Sequence, residues 1–243
     1  MTLQATCSAF LLVAALVFSG CGNSVSQANK LPPDVAKIID AIDKGDTSRL
    51  KSLLEAGAEP TPRNSPLSPL HAAITHFHDG QLMCNSVALK LLLENGADPN
   101  FVDQDSGFAP LEDGLQMGDI ECAKALKHAG ARIDSPDPKK PSILDSAVMG
   151  AVRTNDTRVL ELALSWGIDP NKQSRGRSGT PLHEAVFWKK DQVVDELLRN
   201  GVDPCIADAS GQTPLDMAIN LKRSKSIQRL LTDAMRACPK HEP

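Results

Sequence analysis

The sequence predicts an all-α solenoid, a stack of about six helix-turn-helix units joined by hairpin-like loops. The evidence is internal periodicity in the 243 residues. A Pro-Leu or Ile-Leu pair recurs with its Leu at positions 70, 111, 144, 182 and 215. A Gly that follows a Leu-rich segment recurs at positions 57, 96, 130, 167 and 201. Both markers repeat at about 33 residues, which is typical of a repeat architecture whose units bury their apolar faces by stacking.

Each part of the repeat has a local physical reason. Pro suits the first turn of a helix, where a backbone amide donor is not needed. Gly after a second helix can adopt the left-handed conformation that ends it. The Asp-Pro pairs at 98–99, 169–170 and 203–204 favour extended backbone directly after the helices. The pattern therefore predicts paired helices with short, extended exits.

The residues of the repeat resemble the ankyrin family. Segments 68–74 (SPLHAAI) and 180–186 (TPLHEAV) are similar to the signature T-P-L-H-x-A, and segments 109–115 and 213–219 are divergent copies. The runs LLLENGADPN, from Leu91, and LLRNGVDP, from Leu197, resemble the second helix of that repeat and its exit. The resemblance covers roughly residues 33–236 and implies a domain that binds other proteins.

We divide this region, residues 33–238, into six units. The first lacks the signature and is interpreted as an N-terminal cap, whereas the sixth contains interspersed charges expected of a C-terminal cap. Units two and four contain extra residues between their paired helices, near 76–85 and 150–156. The predicted boundaries of the six units are 33–62, 63–103, 104–136, 137–174, 175–207 and 208–238.

The N-terminus predicts export. No charged residue precedes Lys30, and residues 10–18 form an apolar run that is too short to span a bilayer. Ser19-Gly20-Cys21 resembles the lipobox of bacterial lipoproteins, which implies removal of residues 1–20 and lipidation of Cys21. Gly22, rather than Asp, follows the lipidated Cys21, and by the sorting rule of enteric bacterial lipoproteins this implies transport to the outer membrane. Residues 21–32 would then form a tether in the periplasm. A simple signal peptide or an uncleaved anchor are the alternatives.

Composition and motifs exclude several functions. The net charge is −4 and aromatic residues make up 3%, without any Tyr. Electrostatic binding of nucleic acid and aromatic stacking of bases or sugars are therefore not expected. The chain has no phosphate-binding loop, zinc-protease motif or nucleophile elbow. We expect a protein that is not an enzyme and has no cofactor.

Six Cys and a small group of His residues raise separate questions. Cys205 and Cys238 are 33 residues apart, so stacking alone holds them too far apart for a disulfide. The C-terminal tail could nevertheless fold back to form one, and we keep this bridge as a hypothesis. Cys122 is interpreted as a small core residue. A metal site formed by His76, His78 and Cys84 is disfavoured, because no helix aligns all three.

The family resemblance also implies roles for particular residues. His71 and His183 match the signature His, which ties neighbouring loops by hydrogen bonds. The two residues after each signature face the concave surface, where ankyrin domains bind proteins. The candidate partner-binding residues are Thr75, His76, Gln116, Met117, Met149, Phe187, Trp188, Asn220 and Leu221.

Phe187 and Trp188 are the strongest of these candidates, because aromatic residues are rare in this chain and Trp is enriched in interface hot spots. The alternative is that one ring turns inward to fill space beside the longer fourth unit. A second candidate surface is a loop tip with Phe101, Asp103, Asp105 and Phe108, whose acidic members suit a basic partner.

These observations predict a protein-binding module that is tethered in the periplasm and monomeric before it binds its partner. Some bacterial ankyrin lipoproteins resemble immunity proteins, which neutralise effectors injected by sister cells, including phospholipases. An immunity protein against such a toxin is therefore the expected function. The alternative is an envelope scaffold or stress-protection factor that stabilises a periplasmic enzyme.

Overall fold

A computed structural model of the chain describes residues 31–61, 67–78, 81–103, 107–134, 143–171 and 179–238. These residues form twelve α-helices in six successive pairs, so the prediction of an all-α solenoid is confirmed. The predicted signal peptide and Cys21 lie outside the described residues. Within the described part, no helix combines the length and apolar character needed to cross a bilayer.

The twelve helices alternate between a first and a second member of each pair. The first helices are α1 (Pro33–Asp43), α3 (Pro69–Ile74), α5 (Pro110–Met117), α7 (Ile143–Thr154), α9 (Pro181–Phe187) and α11 (Pro214–Asn220). The second helices are α2 (Thr47–Glu55), α4 (Ser86–Glu94), α6 (Ile120–His128), α8 (Arg158–Ser165), α10 (Asp191–Arg199) and α12 (Lys225–Ala234). A short 3₁₀ helix, Met235–Ala237, follows α12.

The extra residues of the second unit form a small β-hairpin. Strand β1 (His76–His78) pairs in antiparallel fashion with β2 (Gln81–Met83), and His76 lies opposite Met83. The hairpin lies between α3 and α4, where the sequence predicts an insertion. It replaces the short inter-helix turn of the other units.

Helix starts and ends follow the predicted local chemistry. Pro occupies the first turn in five of the six first helices, where its missing N–H leaves no bond unmade. The Gly after five of the second helices has φ between 76° and 95°, a left-handed conformation that Gly adopts without steric cost. These glycines are Gly57, Gly96, Gly130, Gly167 and Gly201.

One apolar core runs through all six pairs, from Ile38 in α1 to Leu231 in α12. The first helices pack on one another in sequence order, and each also packs on the second helix of its own pair. The Leu of every Pro-Leu or Ile-Leu pair except Leu215 is at most 1% exposed. Burial of this kind stabilises a protein by about 25 cal/mol for each Å² of apolar surface removed from water.

Two disulfide bonds link parts of the chain. Cys205 is bonded to Cys238, with the two Cα atoms 5.7 Å apart, because the chain after α12 returns toward the loop that contains Cys205. Cys84 is bonded to Cys122, with Cα atoms 6.5 Å apart. The interpretation of Cys122 as a core residue alone is thus incomplete: its side chain is buried, and it also links the second unit to the third.

Candidate protein-interaction surface

The turns that join the two helices of a unit are adjacent to one another in the stack. The Lys190 ammonium donates a hydrogen bond to Asn155 Oδ1 in the preceding turn, with 3.2 Å between the two atoms. The Ser224 hydroxyl lies 3.2 Å from a carboxylate oxygen of Asp191. We call this series of inter-helix turns the turn edge.

Each turn of the turn edge contains one residue with a left-handed backbone. These residues are Gly45, Gly118, Asn155, Lys189 and Lys222, with φ between 50° and 70°. Gly adopts this conformation freely and Asn tolerates it, whereas a Lys there costs about 1 kcal/mol because its Cβ approaches the backbone. The last two units therefore contain Lys at positions where Gly is favoured for the backbone.

The charge at one position of the turn edge changes sign along the stack. The residue after the left-handed position is Asp46, Asp119 or Asp156 in units one, three and four. The same position is Lys190 in unit five and Arg223 in unit six. Together with the two left-handed lysines and Lys225, they form a cluster that we call the basic edge: Lys189, Lys190, Lys222, Arg223 and Lys225.

The aromatic pair lies at the start of this basic edge. Phe187 is 46% exposed, whereas Trp188 is half-buried. The two rings meet edge to face, with centroids 5.3 Å apart. The Trp188 indole N–H donates to Glu184 Oε1 at 2.7 Å, which fixes the orientation of the indole. Phe187 is consequently the more exposed of the two aromatic residues.

Arg223 joins the sixth unit to the aromatic pair. Its Nε donates to the carbonyl oxygen of Val186 at 2.9 Å, and its Nη2 donates to that of Phe187 at 2.6 Å. The Phe187 carbonyl is one of those that the end of a helix leaves without helical partners, whereas the Val186 carbonyl also accepts a hydrogen bond from the Lys189 amide at 3.2 Å. The guanidinium carbon also lies 6.0 Å from the centroid of the Phe187 ring, within the range of a cation–π contact. Arg153 binds the carbonyls of Gln116 and Met117 at the end of α5 in the same way.

Exposed apolar side chains accompany the basic edge. Ile219 is 54% exposed and Leu221 is 41% exposed, at the end of α11, which packs on α9. Because their helix packs on α9, we group them with Phe187 under the name apolar patch: Phe187, Ile219 and Leu221. Among the large apolar side chains whose exposure the structure describes, Met83 and Val87 are the exposed ones outside this patch.

The other residues predicted to bind a partner differ in how far they are exposed to solvent. Asn220 is exposed, and Thr75, Gln116, Met149, Phe101 and Phe108 are half-buried. His76, Met117 and Asp103 are buried instead, so their side chains are removed from the candidate surface. Asp103 Oδ2 accepts a hydrogen bond from the Ser68 amide at 3.0 Å, which gives it a structural role. Asp105 lies outside the described residues.

The repeat signatures in the sequence do not predict the basic edge. Its signal is nevertheless present there, since Lys189 and Lys222 occupy the places that Gly45 and Gly118 occupy in other units. Only an alignment of the inter-helix turns, rather than of the signatures, brings these residues into register.

Each of the two signature histidines makes a polar contact with a residue of the next unit. His183 Nδ1 accepts from the Thr180 amide at 3.1 Å, and its Nε2 lies 2.9 Å from the carbonyl oxygen of Gln212. Because a carbonyl oxygen only accepts, Nε2 holds the proton and the imidazole is neutral. Burial lowers the pKa of His183 below the usual 6.5. His71 Nδ1 lies 2.6 Å from Asp113 Oδ2, so this His reaches a carboxylate of α5.

Cysteine chemistry argues against a metal site in the described part of the chain. Two groups of potential ligand atoms lie close together there, Cys84 with Asp119 and Cys122, and Asp203 with Cys205 and Cys238. In each group the two sulfurs are bonded to each other, so neither offers a thiolate. The disulfide also removes Cys84 from the alternative site with His76 and His78.

Matches to known proteins cover most of the described residues. A family model described as ankyrin repeats (3 copies) matches residues 38–137 and 148–240. Human palmitoyltransferase ZDHHC13 is 30% identical over 171 residues, which cover 70% of this chain and 26% of that protein. Human SH3 and multiple ankyrin repeat domains protein 2 is 30% identical over 147 residues, which cover 60% of this chain and 8% of that protein. The chain thus corresponds to about a quarter or less of these relatives.

Solved structures share the fold. An ankyrin repeat domain from Acinetobacter baumannii AYE superposes with a TM-score of 0.64 at 22% identity, over 81% of this chain and 96% of that one. The ankyrin repeat domain of Bcl-3, a member of the IκB protein family, gives a TM-score of 0.62 at 21% identity, over 82% of this chain and 85% of that one.

Proposed function

Since the chain belongs to the ankyrin-repeat family, whose repeats generally mediate protein–protein interaction, we propose that it is a periplasmic, lipid-anchored module that binds and neutralises a protein toxin. The observation that carries the binding role is the apolar patch, in which Phe187 is 46% exposed. Large aromatic side chains that are exposed beside a folded core are frequent anchors of protein interfaces.

The two disulfides support a location outside the cytoplasm. Disulfides persist in oxidising compartments such as the bacterial periplasm, whereas cytosolic thiols are kept reduced. The bonds Cys84–Cys122 and Cys205–Cys238 use all four Cys residues that follow Cys21. This agrees with the proposed export signal and with Cys21 as the site of the lipid anchor.

A rigid stack suits the role of an inhibitor. A preformed surface loses little conformational entropy on binding, which favours high affinity. A lipid anchor in the outer membrane would hold the protein near the bilayer that a phospholipase toxin attacks. The competing proposal is an envelope scaffold or stress-protection factor that stabilises a periplasmic enzyme, and it predicts several weaker partners in place of one.

Affinity capture followed by an activity assay tests the immunity role. Residues 22–243, which include every described residue, would be tagged and mixed with lysate of the organism that encodes the chain. We expect one stoichiometric partner with a hydrolase activity that this protein inhibits. Several substoichiometric envelope proteins would favour the scaffold, and capture of no protein would contradict both proposals.

Matched variants test whether the apolar patch forms the interface. We expect Phe187→Ala to weaken binding of the captured partner by about 2 kcal/mol, roughly thirtyfold. Val87→Ala is the control, because Val87 is 53% exposed on α4, outside the candidate surface. Equal affinities of the Phe187→Ala variant and the wild type, with unchanged circular dichroism, would remove the apolar patch from the interface.

A further inference from the structure

We propose that the basic edge and the apolar patch together bind an acidic protein segment, with carboxylates opposite the lysines and an apolar side chain against Phe187 and Leu221. This inference rests on the proposed function, since it names the chemistry of the partner at the same surface. It differs from the expectation of a basic partner at the acidic loop tip near Asp103, whose side chain is buried.

The backbone conformation of two lysines supports this proposal. Lys189 has φ of 59° and Lys222 has φ of 50°, in the left-handed region that long side chains rarely adopt. Gly45 and Gly118 occupy the equivalent turns of units one and three. A strained residue that the local backbone does not require points to a role for its side chain. Here the shared property of the two side chains is a positive charge.

The residue at the N-cap of α10 also supports the proposal. Asp46 and Asp119 are the N-cap residues of α2 and α6, and their carboxylates accept from the amides of Arg49 and Cys122. Lys190 is the N-cap residue of α10 and makes no side-chain cap. A cation is also unfavourable beside the positive end of a helix dipole. The fifth unit thus has a Lys where a carboxylate would stabilise the fold better.

The balance of charges around the last two turns supports the proposal as well. Residues 187–191 and 219–225 contain five cationic side chains and a single carboxylate, that of Asp191. Throughout the described ranges, no carboxylate forms an ion pair with Lys189, Lys222 or Lys225, whereas Lys37, Lys44 and Arg49 near the N-terminus are paired with Asp. A cluster of like charges beside exposed apolar side chains complements a surface with carboxylates around an apolar group.

The distribution of charge favours a protein segment over an anionic membrane. The same turn edge contains Asp46, Asp119 and Asp156 in units one, three and four. A flat anionic bilayer against the whole edge would also approach these carboxylates and would be repelled by them within about 10 Å, the Debye length at 0.1 M salt. A protein segment can contact the last two units alone.

The test uses residues 22–243 and a fluorescent synthetic peptide of Glu and Asp residues with a central Leu-Phe pair. We expect saturable binding at low salt that weakens as salt is added. Lys189→Gly/Lys222→Gly is the decisive double variant, because Gly is the residue that units one and three use at this position. It should weaken peptide binding by about tenfold while the melting temperature is unchanged or higher.

The control double variant is Lys90→Gln/Lys124→Gln, which changes net charge by the same amount on exposed faces of α4 and α6. It should weaken peptide binding less than twofold, and a peptide with Lys in place of Glu and Asp should not bind. Equal losses in the two double variants would overturn the proposal. So would absence of binding, or co-sedimentation with phosphatidylglycerol vesicles that the Lys189→Gly/Lys222→Gly variant abolishes.

The captured partner separates this inference from the proposed function. If a toxin is captured and inhibited, but Lys189→Gly/Lys222→Gly leaves its affinity unchanged, the immunity role stands and the basic edge is excluded. If no toxin is captured, the immunity role fails, whereas the peptide assay still decides whether the basic edge recognises acidic segments.

Discussion

Gly150 in helix α7 lies directly against the backbone carbonyl oxygen of Leu115 in helix α5. A Cβ atom added to Gly150 would overlap this oxygen and would come within 3.2 Å of the Gly118 Cα. The two first helices therefore meet backbone to backbone in the middle of the stack. Side chains cannot move aside to relieve a clash of this kind.

We expect Gly150→Ala to lower the free energy of unfolding by about 2–3 kcal/mol, because the added methyl group forces α5 and α7 apart. Urea denaturation of the purified protein measures the change. Gly114→Ala is the matched control, because its Cβ would meet the flexible Leu126 side chain at 3.3 Å, and Ala favours the helix more than Gly. Equal midpoints for Gly150→Ala and the wild type would show that the helices accommodate the methyl group.

Lys190→Asp should raise the free energy of unfolding by about 1 kcal/mol, because Asp can cap α10 as Asp46 caps α2 and suits the helix dipole. Thermal and urea denaturation would both detect this gain. Lys190→Ala is the comparison, since it removes the charge without supplying a cap. Equal stability of the two variants would argue against the capping explanation.

Removal of the bond between Cys205 and Cys238 by Ser substitutions should lower the free energy of unfolding by about 2–4 kcal/mol, since the bond closes a loop over a separation of 33 residues. The same loss is expected for Cys84 and Cys122, which are 38 residues apart. Both sulfurs of the latter pair are in buried residues, so dithiothreitol should reduce it more slowly. Mass spectrometry after alkylation shows which disulfide is reduced first. Faster reduction of Cys84–Cys122 would contradict this prediction.

The neutral state of His183 predicts a pH dependence of stability. Burial lowers the pKa of this His below 6.5, so below pH 6.5 the unfolded chain binds the proton more readily than the folded one. The stability that His183 contributes should be present in full above pH 6.5 and decline as the pH falls toward its lowered pKa. Urea titrations of the wild type and His183→Gln would measure this.

The difference in free energy between His183→Gln and the wild type isolates the contribution of His183, because the other titrating groups are the same in both proteins. This difference should be constant above pH 6.5 and change below it. A difference that is independent of pH from neutrality to pH 5 would show that the imidazole titrates alike in the folded and unfolded chains.

Local chemistry explains why so much of the fold could be predicted. Pro181 and Gly201 lie at the start and the end of a helix pair. Their effect on the backbone is steric and acts within a few residues. The burial of Leu182 follows from its place in the repeat, which recurs in units two to six. These signals do not depend on distant parts of the chain, so they can be read before the fold is known.

The candidate site was less predictable, because exposure depends on neighbouring units. Phe187 and Trp188 are adjacent in sequence, yet one faces solvent and the other is held by Glu184. Met117 occupies the position equivalent to Trp188 but is buried. Helical periodicity places such residues on a face, and the packing of the next unit then determines how much of each remains exposed.

By itself the sequence determined the all-α solenoid and the places where its helices begin and end, because those features are governed by short-range sterics and a repeating apolar pattern. Only the tertiary structure joined Cys84 to Cys122, buried Met117 and Asp103, and brought Lys189, Lys222 and Arg223 to one edge beside Phe187. Each of these outcomes depends on contacts between units that are about 33 residues apart, and such contacts exist only after the units have stacked.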